Sequence, residues 1–545
     1  MKEEPLRFLL PIPENSGISI DSIKQRGDCM PEYLAPGVYL EEIEIGAKPI
    51  EGVSTSTAGF LGPTERGPTN PKFVTNFGDF QNKFGGFVEG SYLAYGVAGF
   101  FSNGGQRCFV GRVTGKGAVA SSASLMGTVG NTEKDIMRIT TVGPGNWGNN
   151  VAVILEPATL FKDGKNQLFK LIVKYWKKIV EAENITGADV VMAQENNPPD
   201  VVEVYDNLSH IAASSDYYEK RINNISKIIQ IEMVEEGVPG LQTILLKNGI
   251  QGSEITSADY KGIETAPPGK RTGLVAFEEI DEINIVCIPD ETSNNLNGLT
   301  DYIVEHCEKM KDRFAILQAK QSAGDVARLE PPNDSKYAAF YYPWINMIDP
   351  VTNNKKLVPA GGHIAGIYAR SDTERGVHKA PANEVVRGAQ ELQFNLTKAE
   401  QDILNPKGVN CIRAFPGRGI RVWGARTTSS DPLWKYLNVR RLFLYIEESI
   451  EQGTQWAVFE PNNERLWARV KQSITQFLTT VWRDGALMGL TPDEAFFVKC
   501  DRTTMTQDDI DNGRLIVMIG IAPVKPAEFV IFRIAQWTGG SEVSE

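Results

Sequence analysis

The sequence is poor in the residues from which most small-molecule chemistry is built. Of 545 residues only four are histidine (His210, His306, His363, His378) and six are cysteine (Cys29, Cys108, Cys287, Cys307, Cys411, Cys500). No cysteine lies within three residues of another, so there is no CxxC pair for zinc or thiol exchange. No histidine stands in an HExxH motif or a Cys/His cluster. Scattered single thiols fit synthesis in a reducing cytoplasm. No apolar run approaches the ~20 residues of a membrane helix. Met1-Lys2-Glu3-Glu4-Pro5 lacks a basic n-region and Phe8-Leu9-Leu10 is too short for a signal core, so neither membrane insertion nor a cleaved signal is expected. A basic surplus is also missing. The net charge of −12 argues against direct nucleic-acid binding and suits a soluble chain that stays dispersed until it assembles.

Motif by motif, the usual catalytic constellations fail. Gly143-Pro144-Gly145-Asn146-Trp147-Gly148 lacks the Gly-Lys-Ser/Thr ending of a phosphate loop and reads as a tight turn. No serine sits in a GxSxG elbow. Asp508-Asp509-Ile510-Asp511-Asn512-Gly513 has isoleucine where a calcium loop needs ligands, so a helical turn ending at Gly513 is expected. Asp372-Thr373-Glu374-Arg375 reads as a loop ion pair rather than a catalytic carboxylate pair. No catalytic residue, metal ligand or cofactor is assigned.

What the chain does contain is an α+β and α/β multidomain pattern, with roughly three or four domains expected at this length. Residues 1–30 read as a tail and 31–50 as an N-terminal arm. An outer α/β domain runs through 51–115 and 276–425, split by an inserted, mainly β domain over 116–275. In the outer domain Leu93 to Phe101 reads as a buried helix, and Ile283–Pro289, Leu299–Arg313 and Phe314–Leu317 as β–α–β with parallel strands. Residues 359–427 read as loops rich in Gly, Arg and Asn. A C-terminal sheet-and-helix core occupies 426–527. Its long helix shows one apolar face (Leu466, Trp467, Val470, Ile474, Phe477, Leu478, Val481, Trp482) with Asn462 or Asn463 as N-cap.

Three strand-like runs end the chain: Ala495–Val498, Leu515–Ile519 and Glu528–Trp537. The last, in the arm 528–545, pairs inward or is given to a neighbour by strand addition. Gly37, Val38, Tyr39, Leu40 and Ile43 form the matching candidate at the N-terminal end, and Phe529, Val530, Ile531, Phe532 and Ile534 carry the C-terminal one. Each backbone hydrogen bond of a donated strand is worth about 1 kcal/mol net, and each buried large apolar side chain about 1.5–3 kcal/mol.

Several runs, in this order, make the chain resemble tail sheath proteins of contractile phages and of phage-tail-like contractile injection systems. They include Pro36-Gly37-Val38-Tyr39, Lys336 to Trp344, His363 to Asp372, Arg375 to Asn383 and Leu404 to Asn410. Gly419 to Thr427, Asn438-Val439-Arg440-Arg441, Val458 to Asn462 and Pro526-Ala527-Glu528-Phe529 complete the series. The resemblance covers about 31–115 and 276–540. It implies a non-enzymatic mechanical subunit that stacks as hexameric rings in a helical sleeve around an inner tube. Its partners are then copies of itself, the tube protein, and baseplate and terminal cap proteins. It implies assembly in the bacterial cytoplasm in an extended, metastable state, and contraction that drives the tube through a target envelope. By position in the family pattern, Trp482, Arg483 and Met488 face the tube. A true phage virion, rather than a headless device released from the cell, is the alternative within the class. A hydrolase with an unusual insertion and a static surface-layer protein are the alternatives outside it.

Overall fold

A computed structural model describes residues 49–160, 168–179, 191, 194 and 196–534. The N-terminal arm residues Gly37, Val38, Tyr39, Leu40 and Ile43 lie outside these. Strand β1 (Ala58–Gly62) is buried at every position, as a strand covered on both faces must be. It leads to β2 (Lys72–Val74), α1 (Phe77–Phe84), the buried helix α2 (Leu93–Ser102) and β3 (Cys108–Arg112). Asn76 caps α1 by accepting the Asp79 N–H at 2.8 Å.

The chain then enters β4 (Ser122–Val129), β5 (Thr132–Thr141), β6 (Val151–Pro157), β7 (Phe169–Tyr175), β8 (Val201–Leu208), α3 (Tyr218–Ile222), β9 (Ile229–Met233), β10 (Val238–Pro239) and β11 (Thr243–Leu245). These strands make two four-stranded antiparallel sheets, β10-β4-β5-β9 and β11-β6-β7-β8. Strand β7 alternates buried and half-buried residues, and Leu125, Ile139, Val153, Leu171 and Ile231 share one core between the sheets. Arg112 ties this unit to the outer domain by donating to the carbonyls of Gly67 (2.9 Å) and Pro144 (2.6 Å).

The insertion was expected to close near residue 275. Helices α4 (Ser257–Lys261) and α5 (Gly273–Phe277) instead place Tyr260, Leu274 and Phe277 in the core of the large sheet. Their Gly- and Pro-punctuated connection has the composition of the insertion, which hides the return. Gly262 allows the backbone to turn back, since a Cβ there would strike the Thr272 carbonyl.

Beyond them come β12 (Ile285–Cys287), α6 (Leu299–Met310), β13 (Phe314–Gln318), β14 (Ala338–Tyr342), β15 (Ile345–Ile348), β16 (Lys355–Val358), α7 (Gly361–Arg375), β17 (Glu391–Leu392), α8 (Lys398–Leu404), β18 (Val409–Phe415) and β19 (Gly419–Trp423). The large sheet has the order β19-β18-β14-β13-β12-β1-β3-β2, parallel except at its two edges. The parallel pairing of β12 with β13 across α6 follows the β–α–β order read from the sequence, and β14 joins β13 in parallel without a helix between them.

Helix α7 corrects the reading of 359–427 as loops. Gly361 through Ser371 are all buried, His363 and Arg370 included, so this stretch is covered on every side and shows no solvent-facing polar stripe to betray its period. It crosses α2 at backbone contact. A Cβ at Gly362 would run into the Gly96 carbonyl oxygen, and one at Gly366 into that of Phe100.

The C-terminal part comprises α9 (Leu437–Thr454), α10 (Glu464–Arg483), α11 (Pro492–Ala495), β20 (Phe496–Lys499), α12 (Gln507–Asp511) and β21 (Met518–Ile521). Helix α10 buries the predicted face from Leu466 to Val481, and Asn463 caps it by accepting the Leu466 N–H at 3.0 Å. Its core includes Leu442, Ile446, Trp467, Leu478 and Phe496. Strand β21 begins at Met518 rather than Leu515. The preceding residues are held in the turn, with Arg514 bound to Asp508 and Asp509 and the Thr504 hydroxyl donating to the Ile516 carbonyl. Helix α12 stops before Gly513, whose φ of 70° ends it as expected.

Candidate assembly surfaces

Strands β20 and β21 form an antiparallel pair, and no third strand joins this sheet among the described residues. Two strands alone are marginal, and this pair is backed on one face by α10 while Phe497 and Met518 stay exposed. Both edges therefore offer unpaired backbone groups.

After β21 the chain is fastened step by step. The Ala522 N–H donates to the Ala495 carbonyl (2.8 Å) and that of Val524 to the Ala486 carbonyl (3.1 Å). Asn438 Nδ2 donates to the carbonyls of His378 (2.7 Å) and Val524 (3.3 Å). At Glu528 four donors converge on one carboxylate: Arg426 Nε (2.8 Å) and Nη2 (2.7 Å), Asn405 Nδ2 (2.7 Å) and the Tyr436 hydroxyl (3.1 Å). Burial raises the affinity of this carboxyl for its proton, but the hydrogen bonds from Arg426 and Asn405 outweigh it and hold the group below the usual glutamate value. Arg426 is itself braced by its own backbone, which exchanges hydrogen bonds with the Asn410 side chain, while its Nη1 donates to the Asn405 carbonyl.

One residue further on, the fastening stops. Phe529, Val530, Ile531, Phe532 and Ile534 are 69–94% exposed, and among the described residues 529–534 join no strand ladder. The third predicted strand is thus, over 529–534, exposed chain that joins no strand among the described residues, and residues 535–537 lie outside the described ones.

The chain entering the body at the other end is held by different means. Ile50 packs in the C-terminal core against Gly453, and the Val53 N–H donates to the Ser449 hydroxyl at 3.1 Å. The Thr55 hydroxyl donates to Asp372 at 2.7 Å. Asp372 lies in α7, not in a loop, and its partner is Arg441 of α9, which donates from Nη1 (2.9 Å) and Nη2 (2.6 Å). Arg441 also stacks over the Tyr368 ring.

The three residues assigned to the tube lie close in the chain but differ in setting. Trp482 is half-buried, its Nε1 donating to the Gly489 carbonyl at 3.0 Å. Arg483 is exposed as the last residue of α10, and Met488 is exposed where 486–488 runs beside 522–524.

The large sheet reverses its winding between β1 and β12, where open α/β sheets commonly hold ligands. Here the chain's own side chains fill the crevice. Asp290 accepts the Tyr92 N–H (2.6 Å) and the Ser91 hydroxyl (3.1 Å), and burial lifts it to about 6 despite those donors. Glu291 accepts the Gln318 N–H, and burial with no cation beside it lifts it to about 8. His306 and His363 are buried and pulled down to about 3 and about 4, so both are neutral core residues near pH 7.

The clamp on Glu528 leaves no mark of its own in the sequence, although both Arg426 and Glu528 stand in the runs that carry the resemblance. A lone carboxylate on a terminal strand gives no local sign of a partner 102 residues earlier.

The family model for the phage tail sheath protein central domain matches residues 253–428, and that for the phage tail sheath C-terminal domain matches 429–536. A tail sheath protein of Vibrio phage KVP40 is 26% identical over 201 residues, 36% of this chain and 29% of that protein. A prophage major tail sheath protein of Pseudomonas aeruginosa, described as putative, is 24% identical over 54% of this chain and 78% of its own length. The chain thus spans about a third of the first of these relatives. Among solved structures, the contracted sheath of an extracellular contractile injection system (PVC) superposes with a TM-score of 0.55 at 22% identity, over 93% of this chain and 99% of the other. A sheath tail protein of Listeria innocua gives 0.56 at 11% identity, over 87% and 96%. The fold is that of these sheath proteins, and with both sheath domains matched in sequence over more than half its length, the chain belongs to the phage tail sheath family.

Proposed function

We propose that this chain is the subunit of a contractile sleeve that polymerises around an inner tube in stacked hexameric rings, extended and metastable, and shortens to drive the tube through an envelope. The observation that carries this reading is the abrupt change at Glu528. An apolar segment of strand-like composition leaves a well-fastened body with no strand partner among the described residues, next to a two-stranded sheet whose edges are unpaired among those residues. Strand addition from one copy to the sheet of another satisfies both. The contact is heterologous, so it repeats without closing and generates a helical array. The matching N-terminal segment, Gly37 to Ile43, is proposed to serve the same sheet from a second neighbour. The role is mechanical rather than catalytic, with the tube, baseplate and terminal cap as partners. A capsid and terminase encoded alongside would make the particle a virion; their absence would make it a headless device.

Deleting 528–545 is expected to leave folded monomer and no sleeves by negative-stain microscopy. Sleeves of normal appearance from that truncation would end the strand-addition reading. Arg483→Glu is expected to reduce recovery of tube with sleeves several-fold, and unchanged co-assembly would remove Arg483 from the tube-facing surface.

A further inference from the structure

We propose that Glu528 is a positioning residue whose clamp on the central domain sets the direction in which the C-terminal arm leaves the body, and that sleeve assembly depends on this clamp as well as on the arm. The proposal rests on the strand-addition reading above and adds what aims the strand.

The geometry has three parts. First, the boundary between held and free chain falls at one residue: Ala522, Val524 and Glu528 are hydrogen-bonded to the body, and 529–534 are exposed. Second, the clamp does not lie on the small sheet from which the chain has just emerged. Arg426 and Asn405 belong to the central domain, whereas Glu528 belongs to the C-terminal one. Third, the donor set is directional. A planar guanidinium donating twice and an amide donating once to the same carboxylate fix its orientation, not merely its charge. Tyr436 supplies the fourth donor from the segment just before α9. The arm's first residue therefore starts from a point defined by both domains at once.

The consequence for binding is entropic. A strand that must find a neighbour's sheet edge loses less freedom when its root is already aimed, and the clamp supplies that preorganisation without touching the neighbour. Loss of the clamp leaves the arm's apolar residues intact but lets the root swing.

The test uses the full chain. Spin labels at Phe529→Cys and Asp402→Cys, with Cys29 replaced by serine, read the distance between the arm root and α8. The other cysteines are buried. With Glu528 present a narrow distance distribution is expected, and E528A is expected to broaden it. In unlabelled protein, E528A is expected to cut the sedimentable sleeve fraction at least tenfold while the cooperative melt is retained. Should E528A lose that melt, E528Q, which keeps the shape but not the charge, replaces it in both measurements.

A distribution that stays narrow overturns the proposal, as does normal sleeve yield from a variant whose distribution has broadened. A truncation lacking 529–545 separates the two levels. If it fails to assemble while E528A assembles normally, the clamp falls and the arm reading stands. If it assembles, the arm reading itself falls.

Discussion

Two arginine–carboxylate pairs join the central and C-terminal domains, and they differ in almost everything except chemistry. Asp372–Arg441 is sealed, with both side chains 3% exposed, and Thr55 and the Tyr368 ring complete its shell. Arg426–Glu528 sits at the rim, with side-chain exposures of 9% and 19%, where the body ends and the arm begins. The carboxylate is contributed by the central domain in the first pair and by the C-terminal domain in the second. A sealed pair holds two domains in one orientation because neither charge can be released into water. A rim pair borders water, so opening it costs less than opening a sealed one, and what it adds beyond stability is the point from which the arm departs.

The sharpest way to break this comparison is at the sealed pair. Asp372→Ala leaves Arg441 buried without a counter-charge and is expected to destabilise the chain by about 3–5 kcal/mol, read by urea or thermal unfolding. A loss below about 1 kcal/mol would mean water reaches Arg441.

Removing the arginine from the comparison gives the next effect. Glu291 is a buried carboxyl with no cation, and its value near 8 lies above the ordinary glutamate value. The folded chain then binds this proton more tightly than the unfolded one, so stability falls as pH rises from about 4.5 through about 8. Glu291→Gln is expected to be neutral at pH 4 and to stabilise by about 1–3 kcal/mol at pH 8. An equal effect at both pH values would show that the carboxyl does not titrate.

The smallest effect on stability belongs to the rim. E528A is expected to lower unfolding stability by about 1–2 kcal/mol, less than loss of the sealed pair because water can reach the donors it frees. The Glu528 carboxyl lies below its ordinary value, so its contribution is full above about pH 4.5 and is lost as pH falls through the lowered value. A neutral-pH stability loss as large as that of Asp372→Ala would erase the distinction between the two pairs.

What could be read from the residues follows the same division. The parallel strands β12, β13 and β14 and the amphipathic α10 announce themselves, because a continuous apolar run or a single apolar face is a local signal. Helix α7 does not, since burial on all sides removes the polar stripe that marks a period. The return of the chain at Tyr260 is masked by glycine and proline that serve a close backbone turn. The run from Phe529 to Ile534 reads as a strand that pairs inward or outward, and among the described residues it pairs with none. The clamp that aims it is not legible, because Arg426 and Glu528 are brought together only by the whole fold.

The crossing of α2 and α7 bears on how such a part carries load. With Gly362 seated on the Gly96 carbonyl and Gly366 on that of Phe100, the two backbones touch at two points with no side chain between them to shear. The central body is in that sense a stiff link. In the proposed sleeve, a change of length would then be taken up at the joints between copies, and stroke and stiffness would be separately adjustable: the first by the arms, the second by a few glycines deep in the body.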